Sequence, residues 1–344
     1  MKLRGIEFGH VLGASGCMGF FGEGYPYHKP LAPLGLRFSG CTFVAKTTTL
    51  HPRAGNMPLK KDGITPKDFK PKCIVAKPFK GIALNAVGLS GPGAQTLFEK
   101  GLWQQRTDAF FISFMSVSKT VEERLSEAKE FAALFKKYLP DFHGKVGLQI
   151  NVSCPNVGLH PVRDLARASA SEGLRRAISN GVNPSHPINE LVYESCQLLD
   201  IFSELGIPLE LKFNLLMPVP AALEVSNHPA CDSICMSNTL PWGTMPDKIN
   251  WKKLFGTTAS PLAQFGGGGL SGKPLLPLVA EWIRTARKQG LSKPITGCGG
   301  VLSKKDVREL YQAGASAIVI GSMTFLRPWR VQSVINYAHQ LYAK

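Results

Sequence analysis

The sequence predicts an α/β protein in which a parallel sheet is covered by helices. Short apolar runs rich in β-branched residues recur along the chain, and amphipathic helical patterns lie between many of them. No linker-like segment separates two halves, so residues 1–344 are expected to form one domain. The predicted strands are Phe8–Leu12, Thr42–Ala45, Ile82–Leu84, Phe110–Met115, Val146–Val152, Leu209–Phe213, Ser233–Met236, Ile295–Thr296 and Ala317–Ile320.

The number of these runs exceeds by one the eight strands of a closed (β/α)8 barrel. The segment from His51 to Trp103 is long, rich in Pro and Lys, and has one clear helical pattern, at Ala94–Lys100. We therefore assign the run at Ile82–Leu84 to an excursion that leaves the barrel after its second strand. The prediction is a (β/α)8 TIM barrel with this excursion and with a loop insert, Val157–Pro187, after the fourth strand.

Capping signals and apolar stripes predict the helices. Thr120 and Glu123 form a capping box ahead of an apolar stripe that begins at Leu125 and is stopped by Pro140. Ser303 with Asp306 is expected to cap another helix. The apolar stripes run over 125–135, 191–205, 276–283 and 331–341, and Gly206, Gly290 and Gly314 close helical segments.

Composition excludes several classes of protein. The chain has 344 residues and is 44% hydrophobic and 19% charged, which is ordinary for a globular protein. It has no run of about 18 apolar residues and no signal-peptide pattern at its start, so we expect a cytoplasmic protein without membrane insertion. The 8 cysteines are scattered and form no C-x-x-C pair. Free thiols in a reducing compartment are expected, with no metal site.

The formal charge of +16 permits more than one interpretation. Many lysines concentrate between residues 60 and 80, where prolines interrupt them and no aromatic residues alternate with them. A solvated surface is the first expectation, and steering of small anionic molecules is the second. Nucleic-acid binding is the least favoured, because a base-stacking pattern is missing, and we predict no nucleic-acid partner.

Polar residues follow the predicted strands at the end where a parallel barrel carries its chemistry. Lys46 and Lys212 each adjoin an apolar run, which indicates burial near an anion, although a lone lysine at a strand end is usually a surface charge. Cys154 lies in the segment Asn151–Asn156, between Ser and Pro with an Asn on both sides. This setting favours a polar pocket over a buried apolar thiol.

Glycine pairs and clusters form a second pattern. Gly266–Gly269 with Leu270–Gly272 precede one predicted helix, while Gly299-Gly300 and Gly321-Ser322 follow the last two strands. Glycine lets backbone N–H groups approach an oxyanion closely, and the loops after the seventh and eighth strands commonly bind phosphate in this fold. The clusters together indicate a phosphate-bearing cofactor, although each could also be an ordinary turn.

These motifs together resemble those of the dihydroorotate dehydrogenase family of FMN-dependent barrels. The most specific are the Asn-x-Ser-Cys-Pro-Asn segment at 151–156 and the Gly-Gly-Leu-Ser-Gly segment at 268–272. The resembling segments keep the family order from residue 13 to residue 322. The others are Ala14-Ser15-Gly16, Lys46-Thr47-Thr48-Thr49, Arg53–Asn56, Asn85-x-x-Gly88-Leu89, Lys212, Ser237-Asn238-Thr239, Gly299-Gly300 and Gly321-Ser322.

The resemblance implies FMN-dependent oxidation of dihydroorotate to orotate, a step of pyrimidine biosynthesis. Cys154 resembles the catalytic base of the soluble class, where the membrane-associated class has Ser; it would remove the C5 proton while the C6 hydride passes to flavin N5. Lys46 and Lys212 resemble the flavin-contacting lysines with catalytic roles. The implied substrate-binding residues are Asn85, Gly88, Leu89, Asn151, Asn156, Asn238 and Thr239. The implied cofactor-binding residues are Ala14, Ser15, Lys46, Thr47, Asn151, Lys212, Gly272, Gly299, Gly300, Gly321 and Ser322.

Three departures from the family pattern leave the substrate open. Gly91 stands where an Asn is expected, Ser116–Lys119 lacks an Asn found in some relatives, and Val157–Pro187 is long for the soluble class. One alternative is a related flavin oxidoreductase acting on another dihydropyrimidine or cyclic ene. Another is a non-catalytic flavin- or phosphate-binding barrel. The expected partners are a small anionic substrate and, by family analogy, a second copy of the chain. The electron acceptor stays open among fumarate, NAD through a flavin/iron–sulfur partner protein, quinone and oxygen.

Overall fold

The computed structural model describes residues 1–153 and 187–343, and all structural statements concern these residues. Parallel strands make up most of its central sheet. The strands are β1 (Lys2–Leu3), β2 (Ile6–Glu7), β3 (Val11–Gly13), β4 (Ile74–Lys77), β5 (Ile82–Asn85), β6 (Phe110–Phe114), β7 (Val146–Asn151), β8 (Leu209–Phe213), β9 (Ser233–Met236), β10 (Leu240–Pro241), β11 (Gly269–Gly272), β12 (Ile295–Cys298) and β13 (Ala317–Ile320).

Helices alternate with these strands along most of the chain. They are α1 (His28–Leu31), α2 (Ala94–Glu99), α3 (Val121–Tyr138), α4 (Pro187–Ser203), α5 (Val219–Ser226), α6 (Trp251–Phe255), α7 (Leu275–Lys288), α8 (Lys304–Ala313), α9 (Met323–Leu326) and α10 (Val331–Tyr342). Short 3₁₀ helices lie at Pro78–Lys80, Leu139–Asp141, Ala263–Phe265 and Pro328–Arg330. None of the helices in the described part of the chain is long and apolar enough to cross a membrane.

The central sheet confirms the predicted barrel. Seven parallel strands lie in the order β3-β13-β12-β9-β8-β7-β6. The two outer strands of this row are joined through residues 42–48: Leu12 bridges to Thr42, Val44 to Phe111 and Thr48 to Phe114, all in parallel. The predicted second strand, Thr42–Ala45, is thus a set of bridges and not a continuous ladder. It still closes the ring between the first and third strands of the barrel.

Alternation along the strands separates two apolar layers. Outward residues such as Leu211 and Ile150 pack with the helices in the main core. A second cluster fills the barrel interior and includes Leu12, Val44 and Phe111. The hairpin of β1 and β2, which sequence patterns did not predict, adds Leu3 to this inner cluster.

The excursion His51–Trp103 forms a second sheet at one end of the barrel. Its strands β4 and β5 pair antiparallel with each other, and β11 and β10 extend the sheet in the order β10-β11-β5-β4. The helix predicted at Ala94–Lys100 is present as α2. The glycine cluster at 269–272, which the sequence suggests for phosphate binding, forms strand β11, paired with β5 from Gly269–Asn85 to Gly272–Ile82. Glycine is needed there because a Cβ on Gly272 would lie 2.2 Å from the Gly81 carbonyl oxygen.

Two predicted helix starts have different outcomes. The capping box of α3 is confirmed: the Thr120 side chain accepts from Glu123 N, and the Glu123 side chain accepts from Thr120 N. At α8, Ser303 holds the N-cap position, but its side chain makes no capping hydrogen bond. Asp306 instead accepts from Leu302 N at 2.8 Å, so it caps the turn that precedes the helix.

Candidate active site

A cavity of about 450 Å³ opens at the carboxyl ends of the barrel strands, between the barrel and the excursion sheet. This size lies within the range of small-molecule sites. Most of the residues singled out in the sequence line this cavity. The predicted residues that line it are Ala14, Ser15, Lys46, Thr47, Asn85, Gly88, Leu89, Asn151, Lys212, Asn238, Thr239, Gly299, Gly300, Gly321 and Ser322.

The remaining predicted site residues are Gly272, Cys154 and Asn156. Gly272 does not line the cavity. Its carbonyl oxygen lies next to Gly300, and a Cβ on Gly300 would be 3.0 Å from that oxygen. Gly272 pairs with Ile82 in the β11–β5 ladder, and its assignment to the phosphate end stays a prediction. Cys154, Asn156 and the insert 157–186 lie outside the described residues.

Lys212 anchors a polar group on the floor of the cavity. It is 5% exposed, and its Nζ donates to Ser15 Oγ at 3.2 Å. The Ser15 hydroxyl lies 3.1 Å from Thr47 Oγ1, and Asn151 Nδ2 donates to the same Thr47 oxygen at 3.4 Å. The ammonium group is therefore held by one hydroxyl at the cavity floor, where it can balance negative charge on a bound ligand.

Lys46 is the second buried lysine of the cavity, at 7% exposure. Its Nζ donates to the carbonyl of Ser90 and lies 4.5 Å from the centre of the Phe20 ring. A backbone carbonyl and an aromatic face both stabilise an ammonium group without neutralising it. Lys46 thus adds a positive charge at the wall formed by the excursion.

The strand end that leads to Cys154 is held in place by side-chain amides. Asn151 Oδ1 accepts from Ser153 N at 3.2 Å and from Asn238 Nδ2 at 3.2 Å. Ser153 Oγ donates to the Lys212 carbonyl at 2.8 Å. These bonds fix the last described residues of this strand end, Asn151 to Ser153.

The excursion supplies the opposite wall through residues 85–89. Arg53 Nε donates to the Gly88 carbonyl at 2.9 Å, and Asn56 Nδ2 donates to the Ala86 carbonyl at 2.7 Å. Leu89 adopts φ 59°, a left-handed conformation that costs a non-glycine residue on the order of 1 kcal/mol or more. The motif Arg53–Asn56 therefore acts by shaping this wall, and it does not itself line the cavity.

Residues at one end of the cavity fit the phosphate and ring of a flavin mononucleotide. Gly300 has φ 79°, and a Cβ there would lie 2.7 Å from the Leu276 Cβ, so only glycine brings this backbone to the cavity edge. A Cβ on Gly321 would lie 2.9 Å from the Ala14 Cβ. Ser237 Oγ is buried at the lining without a hydrogen-bond partner among the described residues. A buried unpaired hydroxyl indicates that a ligand completes its hydrogen bonding.

Two other cysteines lie at the cavity, and neither has the setting of an exposed nucleophile. Burial raises the pKa of the Cys17 thiol to about 12, so it stays protonated at neutral pH. Cys298 is 9% exposed, and a hydrogen bond from Cys235 lowers its pKa. Among the described residues, no three His, Cys, Asp or Glu side chains form a group that could hold a metal ion.

Gly91, the departure from the family pattern, does not line the cavity. Its backbone pairs with Arg53 in both directions, and a Cβ there would lie 2.9 Å from Cζ of the buried Phe20 ring. We expect Gly91→Asn to lower the free energy of unfolding by about 1–3 kcal/mol through overpacking. Urea unfolding measures this, and Phe20→Leu/Gly91→Asn should recover part of the loss. Wild-type stability in the single variant would contradict the packing explanation.

Sequence patterns missed several residues of the cavity. Tyr25 and Tyr27 line it with rings stacked 5.9 Å apart, and Phe325 lies on the same side. Their segments carry no repeated pattern, so only the fold brings them to the site. Ser237 was part of the Ser237-Asn238-Thr239 motif in the sequence but was assigned no role at the site.

The fold and the cavity define a parallel (β/α)8 barrel whose ligand site lies at the carboxyl ends of its strands. The family model of dihydroorotate dehydrogenase matches residues 1–341. The chain therefore belongs to the dihydroorotate dehydrogenase family and is an oxidoreductase.

Similar proteins agree with this assignment. The catalytic subunit of dihydroorotate dehydrogenase B (NAD(+)) from Geobacillus sp. strain WCH70 is 31% identical over 337 residues, covering 97% of this chain and 88% of the relative. The subunit of the same name from Bacillus thuringiensis strain Al Hakam is 28% identical over 338 residues, covering 98% of this chain and 89% of the relative. Both therefore resemble the chain over nearly its whole length.

Solved structures share the fold at low sequence identity. The dihydroorotate dehydrogenase of Eimeria tenella in complex with ferulenol has a TM-score of 0.63 and 16% identity, covering 99% of this chain and 83% of its own. The ligand-free form of that enzyme has a TM-score of 0.61 and 14% identity, covering 100% and 87%. At these identities the likeness supports the barrel architecture alone.

Proposed function

We propose that this chain oxidises dihydroorotate to orotate with bound FMN as the hydride acceptor, in one domain spanning residues 1–344. The observation that carries the proposal is the convergence of Lys212, Asn85, Asn151 and Asn238 on one cavity, at the strand end that leads to Cys154. Cations and amides together suit a substrate that has a carboxylate and ring amides. The names of the similar subunits support the same substrate.

The cofactor assignment depends on the cavity's chemistry. Ala14, Ser15 and Thr47 would contact the flavin ring, and Gly299 to Gly300 with Gly321 and Ser322 would hold its phosphate. When bound, FMN supplies a two-electron acceptor for the hydride. Lys212 would stabilise the negative charge that develops on the ring as the hydride arrives.

The proton is removed by a residue of the chain itself. Cys154 would take the C5 proton of the substrate as a thiolate. A free thiol has a pKa near 8.5, so only a few per cent is ionised at pH 7 without help. The amides of Asn151 and Asn238 orient the strand end beside it. Asn85, Asn156 and Thr239, with the backbone at Gly88 and Leu89, would fix the substrate carboxylate and ring amides.

Electrons leave the chain through a second protein in this proposal. The similar subunits are named as catalytic subunits of an NAD(+)-linked enzyme, which implies a partner subunit that passes electrons onward. We infer such a partner for this chain, together with a second copy of the chain itself. The net charge of +16 would attract the anionic substrate to the assembly.

A visible spectrum tests the substrate and cofactor together. Purified protein should show flavin absorption, and anaerobic dihydroorotate should bleach it within one turnover. A flavin spectrum that does not bleach would contradict the substrate and favour another dihydropyrimidine or cyclic ene. Colourless protein that takes up no added FMN would contradict the cofactor assignment. Dihydrouracil, which lacks the carboxylate, serves as the matched control substrate.

A further inference from the structure

The barrel interior holds a carboxyl group that the proposed reaction does not use. Glu210 lies on β8, two residues before Lys212, and is completely buried. Side chains alternate along a strand, and Leu211 between them packs outward in the main core. Glu210 and Lys212 therefore both point into the barrel, with Lys212 nearer the cavity.

Three donors surround the Glu210 carboxyl group. Gln149 Nε2 donates to Oε2 at 2.7 Å, and Thr296 Oγ1 donates to Oε1 at 2.8 Å. Ser233 Oγ donates to Oε1 at 3.4 Å. A carboxylate can accept all of these bonds, so the arrangement favours the ionised form.

A chain of hydrogen bonds links this carboxyl group to Lys212 around the barrel. It begins at Lys212, whose Nζ donates to the Ser15 hydroxyl, and the Ser15 Oγ lies 3.1 Å from Thr47 Oγ1. Thr47 lies 2.9 Å from Ser113 Oγ, which donates to Gln149 Oε1 at 3.4 Å. Gln149 then donates to Glu210, so this series of hydrogen bonds starts and ends on strand β8.

The charge state of Glu210 depends on opposing influences. Burial raises the pKa of Glu210 above its ordinary value, while the bonds from Gln149 and Thr296 and the charge of Lys212 lower it. The other titratable groups that face it are the thiols of Cys231, Cys235 and Cys298. Lys212 is the cation in this group, so it is the charge with which a Glu210 carboxylate interacts.

We propose that Glu210 is a positioning residue whose carboxylate partly balances the charge of Lys212 and so sets the reduction potential of bound FMN. The inference rests on the proposed function, because it needs FMN in the cavity. Lys212 favours reduced flavin by stabilising its negative charge. A carboxylate two residues away on the same strand opposes that effect, since the two charges interact in a protein interior.

The test is Glu210→Gln in the FMN-loaded enzyme, with the reduction potential measured by dye equilibration. We expect the ratio of reduced to oxidised flavin at a fixed potential to rise about tenfold, which is about 30 mV for two electrons. The difference from wild type should shrink as pH falls through the raised pKa of Glu210, because the wild-type carboxyl group is then neutral too. Equal potentials from about pH 6 to about pH 9, with FMN bound, would overturn the proposal.

Two further variants separate this role from a merely structural one. Glu127→Gln removes another buried carboxylate, which accepts from Val117 N and Ser118 Oγ outside the barrel. The reduction potential of FMN bound to this variant should match that in wild type. Thr296→Val keeps Glu210 but removes one donor, so the pH at which ionisation of Glu210 lowers the flavin potential should be higher in this variant than in wild type. It replaces the test if Glu210→Gln fails to fold, and an unmoved pH would overturn the proposal. Failure to bind FMN in wild type would instead contradict the proposed function.

Discussion

Cys154→Ala is expected to keep FMN but to lower the rate at which dihydroorotate reduces the flavin by about 10²- to 10⁴-fold. This is the usual contribution of a positioned general base. Alanine cannot accept the C5 proton, whereas Lys212 and the amides that would bind substrate remain. Anaerobic stopped-flow absorbance measures the reduction directly. Because the thiolate is the reactive form, the wild-type rate should rise with pH toward the thiol pKa, and this rise should be missing in the variant.

A matched control for this variant is Cys196→Ala, which removes a partly exposed thiol on α4, away from the cavity lining. Its reduction rate should equal that of wild type. Cys154→Ser should retain some activity and shift the rising limb of the pH profile upward, because a hydroxyl ionises less readily than a thiol. A near-normal reduction rate in Cys154→Ala would show that another group takes the proton.

Arg124→Met is expected to lower the free energy of unfolding by about 3–5 kcal/mol, the usual cost of leaving a buried charge unpaired. Arg124 on α3 is 1% exposed and binds Glu194 through two bonds, Nε to Oε1 at 2.7 Å and Nη2 to Oε2 at 2.8 Å. It also donates to the Lys119 carbonyl at 2.9 Å. Losing the guanidinium would leave the Glu194 carboxylate, 2% exposed, without its counter-charge.

Glu190→Gln supplies the matched control for this ion pair. Glu190 is 47% exposed and lies 3.4 Å from the same guanidinium, so its removal should cost less than about 1 kcal/mol. The double variant Arg124→Met/Glu194→Leu should recover most of the stability, since an apolar pair avoids the buried charge. Urea unfolding followed by circular dichroism measures all of these. A loss below about 1 kcal/mol in Arg124→Met would contradict the prediction.

This ion pair also fixes the start of α4. Glu190 and Glu194 lie in the first two turns of α4, the helix with which the described chain resumes after the insert. Arg124 on α3 binds Glu194 and so holds the start of α4 against α3. Ser153, the last described residue before the gap, is held by its hydrogen bond to the Lys212 carbonyl. Arg124→Met should therefore loosen the contact between α3 and the start of α4.

Local patterns in the sequence were sufficient to predict the order of the barrel strands and of the longer helices. The capping box at Thr120 and Glu123 depends on residues three apart, and the apolar runs depend on alternation along one strand. Such signals come from the backbone geometry of a single element. The polar residues after each strand were also found this way, because a parallel barrel brings all its carboxyl strand ends to one side.

Contacts between distant segments determined what the patterns missed. The strand at 269–272 was not predicted, because it forms through a ladder with β5, nearly two hundred residues earlier in the chain. Gly91 was taken as a possible change near the substrate, and the nearby Phe20 ring explains it by packing. Neither partner can be read from neighbouring residues.

The sequence by itself determined the barrel, the excursion and the set of polar residues at the strand ends. Only the tertiary structure decided which of these share a cavity and what lies beneath them. Glu210 was visible in the sequence as a charge within an apolar run, two residues before Lys212. Its meaning depends on Gln149 and Thr296, which reach it from β7 and β12. A side chain's electrostatic role depends on its spatial neighbours, and closure of the barrel brings those neighbours together.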